Sequence, residues 1–134
     1  MNALPSHNKN IWIYPLIVLI VHAIATYTGL YFTYTWFDSP MHLAGGAAIG
    51  ISAFYFLKYY IPDLTAWILV ILIISLAGLA AVGWEFFEFA LDYKFHSQHQ
   101  PGLIDTMKDL YFGLVGASIS AFMLIKKSRK PTVK

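Results

Sequence analysis

The chain contains no cysteine, which excludes disulfides, thiolate metal sites and a cysteine nucleophile, and leaves the redox compartment open. Charge is scarce as well. Asp, Glu, Lys and Arg make up only 12% of 134 residues, against about a quarter of a typical soluble domain, too little to solvate a water-facing surface. There is no Ser-His-Asp order, no glycine-rich phosphate loop, and no CDP-alcohol or acid-phosphatase signature, so no specific reaction is indicated by motif. Without an internal repeat or a low-complexity tract, nothing divides the chain, and residues 1–134 read as a single domain.

Hydrophobic residues are what the chain has in abundance. They make up 58% of it and give a positive mean hydropathy of +0.60, the composition of an integral membrane protein. A crossing needs about 20 mostly apolar residues. Four stretches qualify, at roughly 11–33, 41–61, 66–91 and 104–125, which predicts an all-α, polytopic membrane protein: a compact four-transmembrane-helix bundle. The first stretch is too long for a signal-peptide core, is flanked by Lys9 alone, and is followed by no small-residue cleavage site, so it reads as a helix of the mature protein. Asp38-Ser39-Pro40 reads as a helix start, with a capping residue ahead of proline. Pro62-Asp63 marks a short turn, and Asp92 to Leu103 is the longest and most polar connection, carrying His96, Gln98, His99, Gln100 and Pro101-Gly102. Tyr and Trp gather near segment ends (Trp12, Tyr14, Tyr34, Trp36, Tyr59, Tyr60, Trp67, Trp84, Tyr93), as in interfacial aromatic belts.

Orientation follows from Lys and Arg. Lys9, Lys58 and the tail residues Lys126, Lys127, Arg129, Lys130 and Lys134 fall on one side, and only Lys94 and Lys108 on the other. The positive-inside rule then predicts a multi-pass cell-membrane protein with both termini cytoplasmic and a basic tail over 126–134. That tail is a topology signal next to a hydrophobic segment, so no nucleic-acid partner is expected.

Six of the seven acidic residues, Asp38, Glu85, Glu88, Asp92, Asp105 and Asp109, fall at segment ends that share the exterior face. At a rise of about 1.5 Å per residue, His42 and Asp109 lie about 24 Å and Glu85 about 28 Å from the inner edge of a core about 30 Å thick. Spacings of three and four residues put Glu85, Glu88 and Asp92 on one helix face, as they do Asp38 with His42 and Asp105 with Asp109. Facing lipid, each acid would cost several kcal/mol, so they should face inward. A structural explanation competes for part of this pattern. Asp38 and Ser39 can cap a helix, Thr106-Met107-Lys108-Asp109 matches a capping box, and acids favour a helix N-terminus. That account fails for Glu85, Glu88 and Asp92, which repel one another near the negative end of their helix and require a compensating cation or proton. A metal, Lys108, Lys94, protonated His42 or a cationic substrate group can supply it.

The sharpest version is a divalent metal site of His42, Glu85, Glu88, Asp105 and Asp109, with Mn, Fe, Zn or Mg as suitable ions for carboxylates and one imidazole. His96 and His99 can complete it from the loop, although loop histidines are usually just exposed. Glu85, Glu88 and Asp109 are the candidate catalytic groups, and Asp38, Asp92 and Lys108 the candidate substrate-binding ones. His22, alone in the first helix, reads as a hydrogen-bonded packing residue, and His7 as part of a disordered end. Gly46-Ala47-Ala48-Ile49-Gly50, Gly113 to Ser118, and Gly78, Ala81 and Gly83 read as small-residue faces that let helices approach closely, while Gly45 and Gly46 can leave room for a ligand.

Asp38-Ser39-Pro40-Met41-His42-Leu43-Ala44-Gly45, then Trp84-Glu85-Phe86-Phe87-Glu88, then Gln100-Pro101-Gly102-Leu103-Ile104-Asp105-Thr106-Met107-Lys108-Asp109 with Gly116-Ala117 resemble the YjdF-like family of small membrane proteins, over residues 38–117. More distantly the order is similar to that of the VanZ-like family, which usually has Lys after the first Asp, Gln at the position of Glu88 and Asn near Gly113. The resemblance implies a fold and a site more than an activity. Two functional classes stand from the sequence: a small, metal-dependent membrane enzyme acting on a lipid or lipid-linked substrate at the outer leaflet, or a cation- or lipid-headgroup-binding, transport or accessory protein without catalysis. Membrane lipids are the expected partners in either case, and a four-helix unit this small suggests homo-oligomers.

Overall fold

The computed structural model describes residues 11–96 and 102–128. His7, Lys9, Gln98, His99, Gln100, Pro101, Arg129, Lys130 and Lys134, which enter the sequence reading, lie outside them. The described chain is helical throughout: α1 (Ile13–Tyr27), α2 (Leu30–Thr33), a 3-10 turn (Thr35–Phe37), α3 (Asp38–Tyr60), α4 (Ala66–Phe95) and α5 (Leu103–Ser128). Among the described residues α3 with its leading turn, α4 and α5 are long and apolar enough to cross a membrane, and α1 is a shorter apolar helix.

One continuous helix over 11–33 is not what forms. Gly29 takes a left-handed backbone, φ 69°, and stops α1 at 15 residues, about 22 Å of helix and less than a core of about 30 Å. The threonine before it assists: the Thr28 hydroxyl donates to the Ile24 carbonyl at 2.9 Å, satisfying a group the ending helix leaves open. The other helices overrun their expected bounds. α3 starts at Asp38, and the expected side-chain cap is not made, because the 3-10 turn feeds directly into the helix and Asp38 occupies its first turn. Likewise Thr106 is no cap, since its own N–H already bonds the Gly102 carbonyl at 3.2 Å inside the first turn of α5. α4 runs 30 residues, about 45 Å, and ends at His96, whose left-handed backbone lets its N–H reach the Asp92 carbonyl at 2.9 Å.

Small residues set the packing order. α3 and α5 form the tightest seam: a methyl group on Gly46 would overlap the Gly113 backbone, one on Gly116 the Leu43 carbonyl, and one on Gly50 the Ser120 hydroxyl. Gly78 lies under Leu114 of α5, but nothing approaches Gly83, so the small-residue face expected on α4 ends short of it. α4 packs on both α3 and α5, whereas α1 packs on α3. Ala53, Phe54, Leu57, Leu69, Ile73, Ala121 and Ile125 fill the core at the end where α3 and α5 finish and α4 begins. Outward faces are apolar, with Leu16, Ile17, Ile20, Ile24, Leu79 and Phe122 each more than half exposed except as buried by lipid, which is how a helix facing hydrocarbon reads. All side-chain carboxylates but that of Asp63, which lies in the turn between α3 and α4, gather at the opposite end from the apolar core.

Candidate functional site

The two helix starts and the far part of α4 converge because α3 and α5 run one way and α4 the other. Starting α3 at Asp38 places its carboxylate one turn below His42, and the His42 Nε2 to Asp38 Oδ1 distance is 3.3 Å. Across the glycine seam, Asp109 Oδ1 lies 3.8 Å from the same imidazole nitrogen. Lys108 bridges the rim, with Nζ 3.5 Å from Asp38 Oδ2, 3.8 Å from Asp109 Oδ1, and hydrogen-bonded to Asp105. From α4, Glu85 and Glu88 enter the interior and are as buried as core residues, at 6% and 7% exposure. Trp84 Nε1 donates to Glu88 Oε1 at 2.8 Å and fixes that carboxyl.

Two triplets offer ligand atoms that lie within 4.8 Å of one another: Asp38, His42 and Asp109, and His42, Glu85 and Glu88. They share His42. Bonds of about 2.1 Å to one ion hold two ligand atoms at most about 4.2 Å apart, so each triplet needs only small rotamer shifts to chelate. Asp109 supplies a separate indication. It is 2% exposed, and its Oδ1 is buried without a hydrogen-bond partner among the described residues, at an expected cost of about 1–3 kcal/mol. Chemically, the cluster sets five carboxylates against one ammonium and one imidazole.

The structure brings together His42, Glu85, Glu88, Asp109, Asp38 and Lys108 from the sequence-level set. Asp105 is drawn off by Lys108 and belongs to neither triplet, while Asp38, read from the sequence as substrate-binding, joins one. Asp92 lies half-buried one turn past Glu88, also outside both triplets. His96 is exposed at the end of α4.

Three side chains join the site only once the chain is folded: His22, Tyr31 and Trp84. Beyond its packing role, His22 Nδ1 lies 2.8 Å from the Tyr31 hydroxyl, and its ring meets Trp84 edge-on at 4.9 Å. Tyr31 gets there because the break at Gly29 redirects the chain into α2, which packs beside α1. Trp84, expected as an interfacial belt residue, is instead half-buried between His22 and Glu88. These side chains border a partly open cavity of about 330 Å³ that runs from His42 down between α1 and α4.

Comparison with known proteins agrees with the membrane reading. A family model described as a predicted membrane protein, DUF2238, matches residues 7–130. No curated protein and no solved structure matches.

Proposed function

We propose, from the premise that the chain belongs to the DUF2238 family of predicted membrane proteins, that its buried cluster binds a divalent metal and serves a small membrane enzyme acting on a lipid or lipid-linked substrate. The observation that carries this is the Oδ1 of Asp109, which among the described residues has ion-pair neighbours at 3.8 Å but no hydrogen bond, buried at the point where three helices deliver acids and an imidazole. A buried, unsatisfied carboxylate oxygen is costly to keep unless something binds it.

In this reading His42, Asp109, Asp38, Glu85 and Glu88 furnish the ligands, and Mn, Fe, Zn or Mg fit such donors. A bound ion would polarise a phosphoryl or carbonyl oxygen, or activate a water. Whichever of Glu85, Glu88 and Asp109 is left off the ion is placed to take or give a proton. Trp84 orients Glu88, and Lys108 at the rim supplies the group for an anionic substrate. Lys58, Lys126 and Lys127 lie at the helix ends away from the cluster, which supports a site on the exterior side with cytoplasmic termini.

Elemental analysis of protein purified in mild detergent tests the reading. Near-stoichiometric metal, lost in Asp109→Asn and Glu85→Gln variants that still fold, supports it; absence of metal binding in the native protein after dialysis against each candidate ion overturns it. Metal-loaded protein that turns over no phospholipid or polyisoprenyl-phosphate substrate in vesicles would leave a cation- or headgroup-binding protein in place of the enzyme. Because the chain has no cysteine, single cysteines placed at Tyr93 and Lys127 report the orientation by labelling from each side.

A further inference from the structure

The cavity beside the cluster has a lining that changes along its length. Val18 and Leu19 of α1, Ile49 of α3 and Ala77 of α4 make its deep part apolar, and His22, Tyr31, His42 and Trp84 make one end polar. Its length is set by two antiparallel helices that line it over matching spans. From Ile49 to His42 on α3 and from Ala77 to Trp84 on α4 are seven residues each, about 10 Å of rise. Its open side follows from the packing order. α1 rests on α3 and makes no extensive contact with α4, so the slot opens between two helices whose outer faces, such as Leu16, Ile20 and Leu79, are exposed and apolar.

We infer that this slot takes one acyl chain of a bilayer lipid, entering sideways from the hydrocarbon and leaving the headgroup at the His42 end. A water-soluble ligand would have to cross hydrocarbon to reach such an opening, whereas an acyl chain is already there. The match in polarity is two-sided. The apolar length faces methylenes, and the polar end places the headgroup beside His22, Tyr31, His42 and Trp84, with His42 in turn 3.8 Å from Asp109. Gly45 keeps the slot open: a methyl group built on it comes no closer than 4.0 Å to Val18, in contrast to Gly46 next to it, which is packed against Gly113. The two adjacent glycines therefore divide their roles, one clearing the slot and the other holding the helices. The choice of a lipid rests on the membrane-site reading above, and the slot itself rests on helix packing.

The test uses full-length protein in nanodiscs of a phospholipid carrying a diazirine midway along one acyl chain, with crosslinked peptides mapped by mass spectrometry. Crosslinks at Val18, Leu19, Ala77 or Ala81 are expected, and Gly45→Leu should abolish them while leaving labelling of the outward Leu79 and Phe122 unchanged. Ala80→Phe, a second slot-filling change on the exposed side of the lining, should do the same if Gly45→Leu fails to fold. Labelling confined to outward residues in the native protein, or lining crosslinks undiminished by both substitutions, overturns the inference. A diazirine on a polyisoprenyl phosphate that labels the lining while the phospholipid does not overturns the acyl-chain assignment in favour of an isoprenoid one. Metal content measured on the same samples separates the two proposals: labelling without metal overturns the metal centre alone, and metal without labelling overturns the slot alone.

Discussion

Substituting Gly46 by alanine is expected to damage the site from a position that offers it no ligand atom. The added methyl would overlap the carbonyl group of Gly113, a backbone atom that no rotamer change can move, so α3 and α5 must separate. Overpacking of this kind costs about 1–3 kcal/mol, which is a five- to more than hundredfold change in the folding equilibrium at about 1.4 kcal/mol per decade. Gly83→Ala on α4 is the internal control: nothing lies near its added methyl, and alanine is the better helix former by about 1 kcal/mol. The separation also has a local consequence. His42 belongs to α3 and Asp109 to α5, at 3.8 Å, so widening the seam lengthens that pair and should weaken divalent-metal binding by about tenfold or more, the range seen when ligand positioning is lost. Unfolding in detergent followed by tryptophan fluorescence, together with calorimetric metal titration, measures both effects. If Gly46→Ala unfolds at the same temperature as Gly83→Ala and binds metal as the native protein does, the reasoning from the seam to the site is refuted.

Other substitutions separate the contributions within the cluster. Asp109→Asn should abolish divalent-metal binding in a protein that still folds, because the carboxamide keeps the shape of the carboxylate but loses its charge; metal bound as tightly as by the native protein in calorimetric titration would count against Asp109 as a ligand. Trp84→Phe deletes the donor to Glu88 and should weaken metal affinity about tenfold with little change in unfolding temperature, as measured by titration calorimetry. Lys108→Met removes the ammonium shared by Asp38, Asp105 and Asp109 and should lower the unfolding temperature in chelator, with the loss largely restored by a divalent ion, because one cation then replaces another.

The helices were legible because hydrocarbon imposes a length and a composition that sequence displays directly, and α4 and α5 begin at or within a residue of where that rule puts them. His42, Glu85 and Asp109 reach one level because each is counted along a straight, regular rod. What failed was local. The glycine at position 29 follows Thr26-Tyr27-Thr28 inside a stretch that is apolar enough overall to favour continuation, and only the observed left-handed backbone shows that the helix ends there. From that break follow the placement of Tyr31, its bond to His22, and the slot beside Trp84, none of which periodicity encodes. Partner choice among charges was also hidden. Asp38 and Asp105 look alike in sequence, each at a helix start, yet Lys108 on the turn after Asp105 captures that carboxylate, and His42 on the turn after Asp38 draws the other inward.

Glycine thus links the two halves of the molecule's design. A carboxylate from each of three helices can share one imidazole only if the helix axes come closer than side chains ordinarily allow, and Gly46, Gly113 and Gly116 permit that approach one to two turns from the acids. Repulsion among the acids pushes the same helices apart, and in the metal-free protein Lys108 and His42 oppose it. The seam and the charge cluster therefore act against each other. A divalent ion that removes the repulsion should stabilise the glycine seam as well as the cluster, so the unfolding-temperature gain on metal binding should be smaller in Gly46→Ala than in the native protein at equal saturation, because a seam already held open has less to recover.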